Sequence, residues 1–406
     1  MIIPLFVGLL YAIYLVFSAY DTRRYHRQLN QIPHRIHVNG IRGKSSVTRL
    51  IAASLREGGL QTAAKTTGTA ARVIIDHDTD IPVPRKEADI AEQRRMISAY
   101  LGSKHSMYTS RPYQAIVFEC MAINPLYQRY LERKIMRSTI GVITNVREDH
   151  MDLLGHTLAD IARSLASTIP INGHLVTAET DPAILAILRE ECEKRGSKLH
   201  PVGTHRVSSR QMAKFAHFEY ASNVAIAIKV AELIGINRQT ALSGMHKANP
   251  DPGAFVLQEL AVPNRTLFWA NLFAINDRES FIYTANVLHE KVGPKTKKAV
   301  ILNNRLDRPE RVLQFVNICL DDIKADYIIT FGDYEPQIKK ELARHTKHRA
   351  KVLYLGTSTA YKNADGETLL RAITKKIRAK RCVLYGTVNI HTKQAEALLH
   401  VLEPAV

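Results

Sequence analysis

The chain has 406 residues, 46% hydrophobic and 23% charged, which is typical of a globular protein and predicts two or three domains. Its net charge of +18 favours nucleic acid, anionic lipid or a polyanionic product as a partner, or simply a solvated basic surface. No nucleic-acid-binding module is present, so we expect no nucleic-acid partner. The four cysteines contain no Cys-x-x-Cys motif, which excludes a zinc knuckle and predicts free thiols in the cytosol.

The chain begins with an uncharged, almost wholly apolar stretch from Ile2 to Tyr20, close to the roughly 20 residues that span a bilayer. Positive charge follows from Arg23 onward, whereas a signal peptide carries its positive charge first. By the positive-inside rule, this order places the bulk of the protein in the cytoplasm. We therefore predict a single-pass cell-membrane anchor over residues 1–22, in preference to a buried helix or a signal peptide, and a linker over 23–33.

A glycine-rich loop, Gly40-Ile-Arg-Gly-Lys-Ser-Ser46, lies between a strand pattern and a helix pattern. In this context the glycines admit backbone N–H groups to phosphate oxygens, and the helix N-terminus favours an anion. We predict a triphosphate site in which Lys44 reaches the β- and γ-phosphates and Ser45 binds Mg²⁺. A plain turn is the alternative, because Val38 replaces the first glycine of the full Walker pattern. The predicted nucleotide-binding residues of the loop are Gly40, Arg42, Gly43, Lys44, Ser45 and Ser46.

Strands and helices alternate through the first part of the chain. This alternation predicts a parallel sheet whose ligands collect at the carboxyl ends of its strands. The predicted strands are Arg35–Val38, Ala115–Met121, Thr139–Val146 and Gly173–Ala178, and the predicted helices are Val47–Arg56, Ala88–Tyr100, Pro125–Arg133, Leu158–Thr168, Pro182–Arg195, Ala221–Leu233 and Arg238–His246.

Polar side chains stand at the ends of two of these strands. Glu119 ends an apolar strand, and we predict that it binds Mg²⁺, since a buried carboxylate is costly unless it is metal-bound or in a salt bridge. His150 follows the next strand, and we predict a metal-binding or catalytic role beside Lys44 and Glu119, although a lone histidine is more often structural. Thr67 belongs to a connection that either lines the same cleft or forms a simple turn.

A Pro/Gly cluster at residues 249–253 predicts a domain boundary. We therefore expect a central ATP-binding domain over 34–250 and a separate Rossmann-like α/β domain over 255–406. In the second domain the predicted strands are Arg265–Phe273, Lys298–Asn303, Asp326–Phe331, Lys351–Leu355 and Arg381–Leu384, and the predicted helices are Glu279–Val292, Pro309–Ile323, Glu335–His345, Glu367–Ala379 and Lys393–Leu402.

Three successive segments resemble signatures of the Mur ligase and folylpolyglutamate synthetase superfamily: the loop 40–46, Glu119, and the run 144–152. A fourth similar segment implies that Asn223 contacts adenine. Asn271 and Asn276 stand where the C-terminal domain of the family typically reads Asp-x-Tyr-x-x-Asn, which implies substrate contacts there.

Within the superfamily, the chain is most similar to the ligase subunits of capsule-type poly-γ-glutamate synthetases, because the predicted anchor lies directly before the loop. The resemblance implies ATP and Mg²⁺ as cofactors and activation of a carboxylate as an acyl phosphate. It also implies that glutamate joins a growing poly-glutamate chain, and that membrane subunits of a synthesis and export complex are partners.

Four positions depart from the family pattern and two other functions stay open. Ile41 replaces a threonine, Ala254 stands where an arginine is expected, and Asn271 replaces an acidic residue. Leu165 stands where relatives carry a carbamoylated lysine, so a second Mg²⁺ is expected to be held without the carbamate. The other functions are a P-loop NTPase that energises or regulates an export complex without forming amide bonds, and a folate-type polyglutamylase.

Overall fold

The computed structural model describes residues 2–67, 71–75, 80–83, 89–101, 112–215, 217–250, 257–273, 275, 278–306, 309–345, 348–389 and 392–403. The chain forms two compact units, Met1–Pro252 and Gly253–Val406, each built on its own sheet. Both sheets are mainly parallel and carry helices in their connections, which confirms the predicted α/β class.

The first unit contains an eight-stranded sheet of order β4-β3-β2-β5-β1-β6-β7-β8, in which only the β2–β3 and β3–β4 pairs are antiparallel among the described strands. Its strands are β1 (His34–Asn39), β2 (Thr62–Lys65), β3 (Arg72–Ile74), β4 (Asp80–Pro82), β5 (Ala115–Glu119), β6 (Ile140–Ile143), β7 (His174–Thr177) and β8 (Lys198–Pro201). Its helices are α1 (Ile2–Leu29), α2 (Lys44–Glu57), α3 (Ile90–Leu101), α4 (Pro125–Tyr130), α5 (Met151–Leu154), α6 (Leu158–Leu165), α7 (Pro182–Glu193), α8 (Ser209–Met212), α9 (Ala221–Ile234) and α10 (Arg238–His246).

The centre of this sheet is the strand trio β5–β1–β6. In its parallel register Val38 lies opposite both Glu119 and Val142, and Asn39 lies opposite Ile143. The three strands therefore end side by side, and the chain segments that leave them start from the same edge. The strands β2, β3, β4 and β8, of three or four residues each, were not predicted.

The core of the first unit lies mainly between the sheet and the helices α2, α9 and α10. Leu50 and Ile51 of α2 are buried in the same cluster as Val224 and Ile228 of α9. The helices α2 and α10 approach so closely that a Cβ atom on Gly244 would lie 2.4 Å from the Ala53 carbonyl oxygen. This packing holds the N-terminus of α2 at the edge where the central strands end.

The helix α1 has two different parts. Its C-terminal part is buried through Tyr25 and Leu29, and Tyr25 Oη donates a hydrogen bond to the Ile135 carbonyl oxygen at 2.8 Å. Of residues 23–33, predicted as a linker, those up to Leu29 continue α1. Tyr25, Leu29 and Ile32 are buried in one cluster with Ile116 and Phe118 of the sheet. Large apolar side chains between residues 6 and 20 are exposed. Among the residues that the structure describes, no helix is long and apolar enough to cross a membrane. The predicted anchor over 1–22, and the cell-membrane location that rested on it, are therefore unsupported.

The second unit contains a six-stranded sheet of order β13-β12-β11-β14-β10-β9, in which the described pairs are parallel except for the antiparallel β9–β10 edge. Every strand and helix predicted here is found, and β9 is an additional strand. The elements are β9 (Leu257–Val262), β10 (Arg265–Asn271), β11 (Lys297–Asn304), β12 (Tyr327–Gly332), β13 (Lys351–Tyr354), β14 (Arg381–Thr387), α11 (Arg278–Val292), α12 (Pro309–Asn317), α13 (Glu335–Arg344), α14 (Gly366–Lys376) and α15 (Lys393–Leu402).

All four cysteines are buried free thiols, as predicted. Two of them lie in each unit, at residues 120 and 192 in the first and at residues 319 and 382 in the second.

The burial of a leucine in the first unit determines how much its replacement by alanine lowers the free energy of unfolding. Leu50 is 1% exposed and Leu126 is 72% exposed. We expect Leu50→Ala to lower the free energy of unfolding by about 2–5 kcal/mol, because it leaves a cavity beneath α2. The matched variant Leu126→Ala should stay within about 0.5 kcal/mol of the wild type. Urea unfolding followed by circular dichroism measures both, and equal losses would contradict this account of the core.

Candidate active site

The phosphate-type loop between β1 and α2 requires glycine at two positions. Gly40 has φ of 124° and Gly43 has φ of 80°, both in the region that side-chain-bearing residues rarely adopt. Neighbouring atoms also leave no room for a side chain at either position. A Cβ atom on Gly40 would lie 2.1 Å from Thr144 Oγ1, and one on Gly43 would lie 2.8 Å from Asn223 Oδ1. The loop is therefore packed between the end of β6 and the start of α9.

The N-terminus of α2 closes this loop. Gly43 is its N-cap, and Lys44, Ser45 and Ser46 form its first turn. The first backbone N–H groups of a helix have no partner within the helix, and the helix dipole adds positive charge there. The Lys44 ammonium donates hydrogen bonds to the carbonyl oxygens of Gly40 at 2.9 Å and Ile41 at 3.2 Å. A cation and free donors thus lie together, which favours an anionic ligand.

Glu119, at the end of β5, lies directly beside this helix terminus. One carboxylate oxygen accepts a hydrogen bond from Ser45 Oγ at 2.9 Å and another from the Thr67 backbone N–H at 2.7 Å. The residue is 3% exposed, and within the described parts of the chain no lysine or arginine forms an ion pair with it. Buried oxygen ligands of this kind suit a hard cation such as Mg²⁺, which takes one or two protein carboxylates in addition to phosphate oxygens.

The segment after β6, residues 144–150, is joined to the phosphate-type loop by four hydrogen bonds. Asn145 accepts from Ile41 N at 3.3 Å through its carbonyl oxygen and from Arg42 N at 3.1 Å through its side chain. The Arg42 carbonyl oxygen accepts from Thr144 Oγ1 at 2.7 Å and from Asn145 Nδ2 at 3.1 Å. These contacts fix the two loops against each other.

Asp149 and His150 lie at the end of that segment. Arg42 Nη2 is 3.1 Å from Asp149 Oδ2, and the His150 side chain is 40% exposed with its ring Nε2 3.9 Å from Asp149 Oδ1. The described structure shows no direct contact of His150 with Ser45 or Glu119. In the same parts of the chain, no three histidine, cysteine, aspartate or glutamate side chains form a group that could hold a metal. A metal role for His150 thus stays a prediction.

A second buried carboxylate, which the sequence analysis missed, shapes the same segment. Glu179 is 3% exposed and accepts hydrogen bonds from Val146 N at 3.0 Å, Thr180 N at 2.8 Å and Arg147 Nη1 at 3.2 Å. The signal was available, because Glu179 follows the apolar strand β7 much as Glu119 ends β5. These partners show that Glu179 stabilises the backbone of this segment and does not line an open ligand site.

Two of the three predicted site asparagines donate hydrogen bonds to glutamate side chains. Asn223 is buried at the start of α9 and donates to Glu219 Oε1 at 2.8 Å. Asn271 belongs to the second unit and donates to Glu403 Oε2 at 3.1 Å. Asn276 lies outside the described residues. The adenine contact of Asn223 and the substrate contacts of Asn271 and Asn276 stay predictions, and Thr67 takes part in the site through its backbone N–H.

Two of the departures from the family pattern, Ile41 and Leu165, are apolar packing positions. Ile41 is 8% exposed and Leu165 is 2% exposed. They belong to one buried cluster that also contains Ile143 and Leu154. Ile41 thus anchors the phosphate-type loop to the helices that follow β6, and no lysine stands at position 165 to carry a carbamate.

Comparisons with known proteins match this architecture. The model of the Mur ligase middle domain matches residues 38–249, and that of the poly-gamma-glutamate synthase CapB C-terminal domain matches residues 257–405. The PGA synthase CapB of Bacillus subtilis is 35% identical over 383 residues, which are 94% of this chain and 93% of that protein. The capsule biosynthesis protein CapB of Bacillus anthracis is 33% identical over 400 residues, covering 98% of this chain and 82% of that one.

Among solved structures, a bifunctional folylpolyglutamate synthase/dihydrofolate synthase of Yersinia pestis complexed with AMPPNP and Mn ion has the same fold. Its TM-score is 0.60 at 16% identity, over 94% of this chain and 92% of that one. The fold and the loop–carboxylate site define a Mur ligase-type enzyme. With relatives this similar over almost its whole length, the chain belongs to the CapB poly-gamma-glutamate synthase family.

Replacing Gly40 tests how tightly the loop is packed. Gly59 also has a positive φ, of 86°, but open space where a Cβ would lie. We expect Gly59→Ala to lower the free energy of unfolding by about 1–2 kcal/mol through backbone strain alone. Gly40→Ala should cost more, because the new methyl group also meets Thr144, and it alone should weaken ADP binding. Chemical unfolding and calorimetric ADP titration measure both effects. Equal unfolding losses together with unchanged ADP affinity would show that the loop is not packed as described.

Proposed function

We infer that this chain is an ATP-dependent amide ligase that joins glutamate units into poly-γ-glutamate. Family membership supports the reaction, since its relatives include a protein named as a PGA synthase. The structural observation that carries the proposal is the buried Glu119 carboxylate with the Ser45 hydroxyl at 2.9 Å, beside the glycine loop and Lys44. This arrangement has the groups that a nucleoside triphosphate and its metal ion need.

The chemistry follows from the low reactivity of a carboxylate. The γ-phosphoryl group of ATP passes to a carboxylate oxygen of the acceptor, which forms an acyl phosphate and ADP. The amine of the incoming glutamate then attacks the acyl carbon. Phosphate leaves with the C–O bonding electrons, the nitrogen loses a proton, and an amide remains. Positioning and charge stabilisation account for most of the catalysis in phosphoryl transfer.

The residues of the first unit have distinct proposed roles. The backbone of loop 40–46 binds the phosphates, and Lys44 neutralises charge on the transferring group. Ser45 and Glu119 hold the divalent ion, which supplies charge neutralisation at the phosphates. We propose Mg²⁺ as this ion because the ligands are hard oxygens. His150 is proposed to lie near the acceptor carboxylate, and Asn223 to contact the adenine.

Removing the loop lysine or the metal carboxylate tests this function. We expect Lys44→Ala and Glu119→Gln each to reduce amide formation by about 100-fold or more, because charge stabilisation of the phosphoryl group is lost. The assay supplies ATP, Mg²⁺ and labelled glutamate and follows phosphate release together with product mass. The exposed Lys295 provides a matched control, since Lys295→Ala removes the same charge in the second unit.

Two outcomes of this assay would contradict the proposal. Phosphate release by the wild type that ignores added glutamate, without amide product, would show a P-loop NTPase. Amide product that forms only after a folate-type acceptor is added to the assay would show a folate-type polyglutamylase. If Lys44→Ala kept wild-type product formation, the role of the phosphate-type loop would be refuted.

A further inference from the structure

One carboxylate in the candidate site contacts both a charged side chain and a backbone N–H group. Asp149 Oδ2 lies 3.1 Å from the guanidinium of Arg42, which belongs to the phosphate-type loop. Asp149 Oδ1 accepts a hydrogen bond from the backbone N–H of His150 at 3.0 Å. The side chain of Asp149 therefore bridges the phosphate-type loop and the backbone of the residue predicted to assist the metal or the acceptor.

The backbone of His150 needs such support. Its φ of 47° and ψ of 42° are in the left-handed region. A residue with a side chain is strained in that conformation, so surrounding contacts must hold it. The hydrogen bond from His150 N to Asp149 supplies one such contact, and Arg42 in turn restricts the position of that carboxylate.

We propose that Arg42 and Asp149 form a positioning pair that couples the phosphate-type loop to His150. Neither residue acts on the reacting atoms. The pair sets the direction of the His150 imidazole relative to a triphosphate bound at Gly40–Ser46. The inference rests on the proposed function for its catalytic consequence, but the coupling itself is a property of the two loops.

Exposure and charge make the pair suitable for this role. The side chains of Arg42 and Asp149 are 26% and 13% exposed, so the attraction is only partly screened by water. The surrounding hydrogen bonds from Thr144 and Asn145 and the burial of Ile41 hold the two loops together without it. Loss of the ion pair should therefore release His150 while the loops stay folded.

The first test is a double-mutant cycle of Arg42→Gln, Asp149→Asn and both together. Each single variant should lower kcat about 10- to 100-fold, as for other residues that orient a site residue. The KM for ATP should change less than kcat, and the double variant should be no slower than the slower single, because both changes break one linkage. Arg42→Lys keeps the charge and should recover part of the rate.

The matched control is Arg163→Gln. Arg163 also faces an aspartate, Asp160, at 3.8 Å on α6, but both side chains are about half exposed. It should keep the wild-type kcat and thermal midpoint. Additive losses in the cycle would overturn the proposal. So would weaker ADP binding in Arg42→Gln with normal binding in Asp149→Asn, because that result would show a direct phosphate contact of Arg42.

The second test does not depend on product formation. The imidazole NMR signal of His150, assigned by its absence in His150→Gln, should shift when ADP and Mg²⁺ are added to the wild type. The shift should be lost in Arg42→Gln and Asp149→Asn and kept in Arg163→Gln. A shift that persists in both variants overturns the coupling. A wild type that shows the shift but makes no amide refutes the proposed function and leaves the coupling standing.

Discussion

Three parallel strands, β5, β1 and β6, end side by side at one edge of the first sheet, and the candidate site depends on that alignment. The register places Val38 opposite Glu119 and Asn39 opposite Ile143. Backbone hydrogen bonds across the three strands hold this register, and burial of both faces prevents a one-residue slip. The glycine loop, the buried carboxylate and the His150 segment are near one another because their strands are paired.

Burial of charge at this edge is offset by dense hydrogen bonding. A carboxylate removed from water without partners costs several kcal/mol, of the order that would unfold a marginal domain. Glu119 receives a hydroxyl and a backbone N–H, and Glu179 receives backbone N–H groups and a guanidinium. The two carboxylates therefore differ in the kind of partner that stabilises them. The partners of Glu179 lie in its own turn and in the segment after β6, whereas the Ser45 partner of Glu119 lies in the first turn of α2.

Prediction from the sequence succeeded where a signal lies within a few adjacent residues. The glycine loop with Lys44 and Ser45, the buried strand ending at Glu119 and the long amphipathic helices were all identified in this way. At the N-terminus an apolar run predicted an anchor over residues 1–22. That prediction is unsupported, because the described chain has no helix suited to crossing a membrane. The helix α1 extends into the predicted linker as far as Leu29, where Tyr25 and Leu29 are buried.

By itself the sequence determined the α/β class, the phosphate-type loop and the strand-end carboxylate, because each depends on spacing along the chain. The tertiary structure alone decided which groups meet. It brought the Thr67 N–H to Glu119, used Ile41 to anchor the loop in a buried cluster, and placed Arg42 against Asp149. Thr67 and Glu119 are 52 positions apart, and Arg42 and Asp149 are 107 positions apart. Ile41 is buried in a cluster whose other residues lie between positions 143 and 192. Pairing over such separations is fixed by sheet register and core packing, which no local pattern of residues encodes.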